Sequence, residues 1–272
     1  MAVSENPQPE SEYQISFRDR ASRIQRLAAA DDTLPCWPAL LNVLLGTAAP
    51  LSWGGREVLW PLWADEAMHR AHCMMHLTLR RERRVMQQGN RAAWSASCLA
   101  MAIALADTLA ELRIVDDLEF LPCSRLLGET AVGLVSLFSV PDCEFDVRIV
   151  LEAISMAAYK RRALILATGA LVTQIVMSAF DRGGRPVISI KLSGQGSGQW
   201  CLAVATEGAA YMNEDASETD DIVDGLADLL EAGTVHRLRR MHEFVAEIHF
   251  PGPTQSAPSV EAATALPYSS SV

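Results

Sequence analysis

A histidine flanked by charge is the first place in this chain where chemistry could be done. Glu66-Ala67-Met68-His69-Arg70 sets a carboxylate three residues before an imidazole, one helical turn away on the same face. Histidine is neutral and nucleophilic near pH 7. A carboxylate so placed can hold one ring N–H and aim the other nitrogen outward, as the orienting acid does in a triad. The same helix offers a second chemistry. His69, His72, Cys73 and His76 fall at i, i+3, i+4 and i+7, one stripe of the soft nitrogen and sulfur donors that zinc accepts. Four ligands spread along about 10 Å of one helix cannot converge on one ion. A metal site there would need the helix of a dimer mate; otherwise His72 and His76 are part-buried residues beside Cys73, Met74 and Met75.

A second charged feature works against anionic ligands. From Glu214 to Asp224 the chain carries Glu214, Asp215, Glu218, Asp220, Asp221 and Asp224 with no Lys or Arg between them. Phosphate sites need N–H donors and positive charge. The run reads as an acidic solvated loop followed by a helix with Asp220 and Asp221 at its N-terminus, where carboxylates cap and face the helix dipole.

Long helices must present the histidine. Glu57 to Gln88 has no Gly or Pro after Pro61, Gly89-Asn90 marks a turn, and Arg91 to Arg113 is rich in Ala and Leu. Together these predict a helical hairpin. Its second helix is apolar nearly all round, more than a lone hairpin buries, which points to a second copy in a four-helix bundle. Shorter helices are predicted over Phe17 to Ala30 and Trp37 to Leu45. Beyond the hairpin, helices are expected at Ser124 to Phe138, Tyr159 to Phe180 and Thr219 to Glu231. Alternating strands are expected at Cys143 to Val150, Pro186 to Leu192, Trp200 to Ala205, Thr234 to Arg239 and Phe244 to Phe250. The tail from Pro251 is Ser/Pro/Ala-rich and expected to be disordered. The fold class is therefore α+β, with strands in hairpins on one side of helices.

Composition narrows the field. The 272 residues are half hydrophobic, enough for a sizeable core, and the formal charge of −10 argues against a broad nucleic-acid surface. The N-terminus lacks the basic-then-apolar pattern of a signal peptide, and the longest apolar run, Ala163 to Ala170, is too short to span a bilayer. The six cysteines are scattered without paired spacing. They read as reduced thiols, and the expected location is the cytoplasm.

The Glu66-to-Arg70 segment resembles the H-box of the HWE-type sensor histidine kinases and their relatives. In those proteins a glutamate stands three residues before a His-Arg pair, although the usual Lys and Asn that follow are here Ala71-His72-Cys73-Met74. Met101 to Leu105 and Asp116-Asp117-Leu118 are similar to the family's second bundle helix and its acidic exit. Leu171-Val172-Thr173-Gln174-Ile175 with Ala179-Phe180 looks like the N-box helix, and Phe250-Pro251 like the end of the last strand. The resemblance implies a dimerisation and histidine-phosphotransfer hairpin at 57–118 and a degenerate, Bergerat-type α/β ATPase sandwich at 119–251. Residues 1–56 become a tail and helical extension, and 252–272 a disordered tail.

The resemblance makes His69 the phosphoacceptor, with Glu66 orienting it and Arg70 steadying the phosphoryl group. It implies homodimerisation and exchange with response-regulator receiver domains, with no membrane span. It also implies that the nucleotide site is eroded. Gly169 and Gln174 stand where two Mg²⁺- and phosphate-holding asparagines belong, and Ala170 replaces a Glu. Thr206-Glu207-Gly208-Ala209-Ala210 replaces the adenine-binding Asp-x-Gly-x-Gly, and the glycine lid is gone. Only Gln174 and Gly208 could keep a weak hold on ATP and Mg²⁺, so no cofactor is expected to bind firmly. Four functions follow: a histidine phosphotransferase, a divergent active kinase, a pseudokinase scaffold that binds a receiver or kinase, and a metal sensor on the His/Cys stripe.

Overall fold

A computed structural model of the chain describes residues 37–46, 62–71, 73, 91–112, 119–139, 145–180, 185–207, 216–240 and 243–253, with 19, 22 and 26 singly. The helices are α1 (Trp37–Gly46), α2 (62–71, with 73 also helical), α3 (Arg91–Ala110), α4 (Ser124–Phe138), α5 (Ala158–Phe180) and α6 (Ala216–Leu229). The strands are β1 (Phe120–Pro122), β2 (Asp146–Leu151), β3 (Ser155–Ala157), β4 (Val187–Gly194), β5 (Gln199–Glu207), β6 (Thr234–Arg240) and β7 (Glu243–Pro251).

Five strands form a mixed sheet in the order β2-β4-β5-β7-β6. β2 and β4 run parallel, joined through β3 and α5 as a parallel pair must be by a crossover, and the remaining pairs are antiparallel. The expected hairpins are present at β4–β5 and β6–β7. The β4–β5 turn needs positive φ at Gly196 (76°), Ser197 (47°) and Gly198 (77°), which the two glycines adopt without steric cost. β1 and β3 pair as a separate two-stranded ribbon that the sequence reading missed. At three residues each they are too short to show alternation.

The alternation of the main strands sets the layers. On β7, Phe244, Ala246, Ile248 and Phe250 point into the core, while Glu243, Val245, Glu247 and His249 lie on the other face. Ile188, Ile190, Leu202 and Val204 join the inward set. α5 packs on them and is buried on every side through its middle, from Ala163 to Val176. α4 and α6 flank α5 in the same core.

The hairpin segment does not stand apart. Trp63, Ala64, Ala67, Met68 and Ala71 of α2, and Ala102, Leu105 and Leu109 of α3, belong to the same continuous hydrophobic core as the sandwich. Two arginines at the start of α5 fasten α3 in place. Arg162 donates from Nε to the Leu112 carbonyl, and Arg161 donates to the carbonyls of Glu111 (3.5 Å) and Pro122 (3.3 Å). Cations at the carboxyl end of a helix satisfy its last carbonyls and oppose its dipole. No helix among the described residues is long and apolar enough to cross a membrane.

Candidate functional site

α2 carries the histidine, and its small residues let it sink. Ala64, Ala67 and Ala71 are fully buried, and every described residue of α2 is buried or half-buried. The helix lies against α5 and α6. A Cβ on Gly169 of α5 would sit 3.3 Å from Glu66 Oε1, and one on Gly225 of α6 would sit 2.7 Å from Leu62 Cδ2. His69 Nε2 is 3.0 Å from Thr219 Oγ1 of α6 and 3.6 Å from Cys73 Sγ one turn along. The imidazole therefore does not stand outward from a bundle. It is half-buried and turned onto the α/β half, because α2 buries its alanine face rather than floating as an exposed coil.

Glu66 takes a different partner from the one expected. Its Oε2 accepts a hydrogen bond from Arg70 Nη2 at 2.9 Å, and both side chains are almost completely buried. Positions i+3 and i+4 lie on one face, so the carboxylate had a choice between imidazole and guanidinium, and the permanently charged group at i+4 holds it. Burial pushes the Glu66 carboxyl above its ordinary 4.5, while the charge and hydrogen bond of Arg70 pull it back down. Of the metal stripe, His69 and Cys73 are described; His72 and His76 lie outside the described residues.

The nucleotide positions can be tested against this geometry. Gly169, which stands for the first asparagine, faces the Glu66 carboxylate. Gln174, which stands for the second, is buried, and its amide oxygen and nitrogen make no hydrogen bond among the described residues; the same holds for the Thr206 hydroxyl. Arg70 is held by that same Glu66 carboxylate. Gly169 offers no side chain, so of these described positions the Gln174 amide and the Thr206 hydroxyl are the groups that could contact a bound nucleotide. Gly208 and the segment up to Asp215 lie outside the described residues.

The acidic run has an occupation the sequence did not disclose. Asp220 lies in the second turn of α6 rather than at its cap. Its Oδ1 accepts from Arg239 Nη2 at 2.6 Å and lies 3.1 Å from Arg237 Nε. Asp224 accepts from Arg237 Nη2 at 2.6 Å. Two carboxylates of the run thus tie α6 to edge strand β6, Asp220 part-buried and Asp224 still 54% exposed. Thr219 was also missed, being 150 residues from His69 in sequence; no local pattern could have linked them.

No protein-family model matches the chain, and no curated protein matches it. Solved structures do. The histidine kinase domain of the EL346 blue-light activated histidine kinase from Erythrobacter litoralis is 11% identical, with 87% of this chain and 95% of that chain covered at a TM-score of 0.50. A histidine kinase from Burkholderia phymatum is 14% identical, covering 67% and 97% at 0.40, and Acinetobacter baumannii AdeS is 13% identical, covering 68% and 98% at 0.38. With the first of these covering nearly the whole of both chains, this protein has the fold of a histidine kinase core.

Proposed function

We propose that this protein is a two-component signalling protein that handles phosphoryl groups without ATP of its own. His69 exchanges a phosphoryl group with the aspartate of a partner's receiver domain. The observation that carries the reading is the seating of α2: its Glu66–Arg70 pair lies over Gly169, where the resemblance puts a nucleotide-holding side chain. A phosphoryl donor must then come from a partner. In the exchange, the unprotonated imidazole nitrogen attacks phosphorus, the P–N bond forms, and the acyl-phosphate P–O bond breaks to return the aspartate carboxylate.

Access is the second requirement. The tautomer with a bare Nε2 is the one that accepts the Thr219 hydroxyl, so the lone pair needed for attack points at α6. Transfer through that nitrogen would require His69 to leave Thr219. Dimerisation through the hairpin is part of the proposal. Met101 and Ile103 of α3 are 36% and 45% exposed, Ile103 on the side away from Ala102 and Leu105, and a second copy would cover them.

The test uses a receiver domain charged with labelled phosphoryl and mixed with the full chain in the absence of ATP. Label is expected on the wild type and not on His69→Ala. A second reading, a scaffold that binds a receiver without taking its phosphoryl group, is favoured by the engagement of Nε2 with Thr219. It predicts stable receiver binding with no label on the wild type.

A further inference from the structure

The outer face of the sheet, away from the helices, carries a cluster that nothing above uses. Cys201 of β5 stands directly opposite His249 of β7, and His236 of β6 stands opposite Glu247. Glu247 and His249 are two apart on one strand, so both point to this outer face. Cys201 Sγ lies 3.9 Å from His249 Nε2, which lies 3.4 Å from Glu247 Oε2; all three ligand atoms are within 4.8 Å of one another. The His236 ring meets that of His249 edge-on, with centroids 5.5 Å apart.

We propose that Cys201, Glu247 and His249 form a site for a thiophilic divalent cation of the zinc class, with solvent completing its coordination. Zinc bonds of about 2.3 Å to sulfur and about 2.0 Å to nitrogen and oxygen place tetrahedral neighbours about 3.3–3.5 Å apart. The two distances to His249 Nε2 need shifts of a few tenths of an ångström or less, and the Glu247 carboxylate, 42% exposed, must turn toward the sulfur from within 4.8 Å. Charge also matches, because a thiolate and a carboxylate neutralise a divalent ion.

The competing use of Cys, His and Glu is a nucleophile relay, and the geometry is against it. A relay needs the thiol on one imidazole nitrogen and the carboxylate on the other. Here both face the same Nε2, so the donors converge on one point. The thiol is buried at 5% exposure, whereas the His249 and Glu247 side chains are 34% and 42% exposed, leaving a path from solvent. In the metal-free state, burial and the Glu247 carboxylate raise the Cys201 pKa, with Lys191 opposing. Metal binding must displace that proton. An ion here would clamp β7 to β5.

The experiment is cobalt titration of the untagged full chain after removal of metals by chelator. One cobalt per chain is expected, with a sulfur-to-cobalt charge-transfer band and the visible bands of tetrahedral coordination. Cys201→Ser should remove the charge-transfer band. His249→Gln, a half-exposed change that leaves the fold intact, should weaken binding about 100-fold, since even outer partners of metal ligands cost up to that much. Cys73→Ser should keep the band. No binding by the wild type, or a band that survives Cys201→Ser, overturns the proposal; the latter would place the ion elsewhere, with the His69 stripe as the first position to examine. Far-UV dichroism of each variant in chelator checks that a lost band is not lost structure.

Discussion

In the proposed exchange, the contact of His69 Nε2 with Thr219 Oγ1, at 3.0 Å, occupies the nitrogen that would attack. A hydrogen bond of this kind contributes about 0.5–1.5 kcal/mol net, so its removal should enlarge the released population by about 2- to 12-fold. Thr219→Val, which keeps the shape and loses the hydroxyl, should therefore raise the rate of label transfer from a charged receiver by that factor. An unchanged rate would mean that Thr219 does not gate the ring. Arg70 also bears on stability through its buried pair with Glu66. Removing it leaves the Glu66 carboxyl buried without its partner, and Arg70→Ala should lose about 3–5 kcal/mol in urea unfolding. Replacing both members with apolar residues of similar volume should recover most of that loss. The pH dependence has a definite sign. The folded state binds the Glu66 proton more tightly than the unfolded chain, so this group's contribution is complete below about 4.5 and is lost as pH rises through its raised folded value. Glu66→Gln should remove that part of the stability–pH slope. The local triple was readable from sequence; the choice of Arg70 over His69 as Glu66's partner was not, because both lie on one face.

At the scale of elements, two glycines measure how α2 is seated. Helix propensity favours Ala over Gly by about 1 kcal/mol at either position. At Gly225 the crowded atom is the end of the Leu62 side chain, which can rotate away, so Gly225→Ala should be neutral or stabilising within that margin. At Gly169 the neighbour is one oxygen of a carboxylate whose other oxygen Arg70 holds, with Leu134 Cδ1 at 3.5 Å as well. Gly169→Ala should lose about 1 kcal/mol despite its propensity gain, as overpacked cores do. Thermal unfolding of the two variants checks the difference in sign. The elements themselves were largely legible. Ser124–Phe138 follows from the prolines that bracket it, and the β4, β5 and β7 strands from turns and alternation, within a residue or two. α5 was readable from its length between breakers, since a helix buried on all sides has no polar face to give it period. The role of the acidic run was not legible: Asp220 and Asp224 find Arg239 and Arg237 only once β6 is placed beside α6.

At the scale of the molecule, the sequence pointed to a hairpin followed by a sandwich, and the structure joins the helices and sheet through one core. That joining is a long-range property. It depends on Arg161 and Arg162 reaching the end of α3 some 50 residues earlier, and on alanines that look like ordinary helix formers in α2. The cross-strand meeting of Cys201 and His249, 48 residues apart, is equally invisible until the sheet order is known. The exposed face of α3 sets the expected assembly. Ile103→Glu should convert a dimer to a monomer in sedimentation without loss of helix, because Ile103 is exposed in the single chain. A wild type that sediments as a monomer would remove the paired bundle from the proposal.

The source of the phosphoryl group decides the matter most directly. Parallel reactions of the full chain, one with terminally labelled ATP and magnesium and one with a labelled receiver, should be digested and the peptide containing His69 examined for acid-labile, base-stable label. The account predicts label on that peptide from the receiver and none from ATP. Label from ATP, or a wild type that takes none from any receiver it binds, would contradict it.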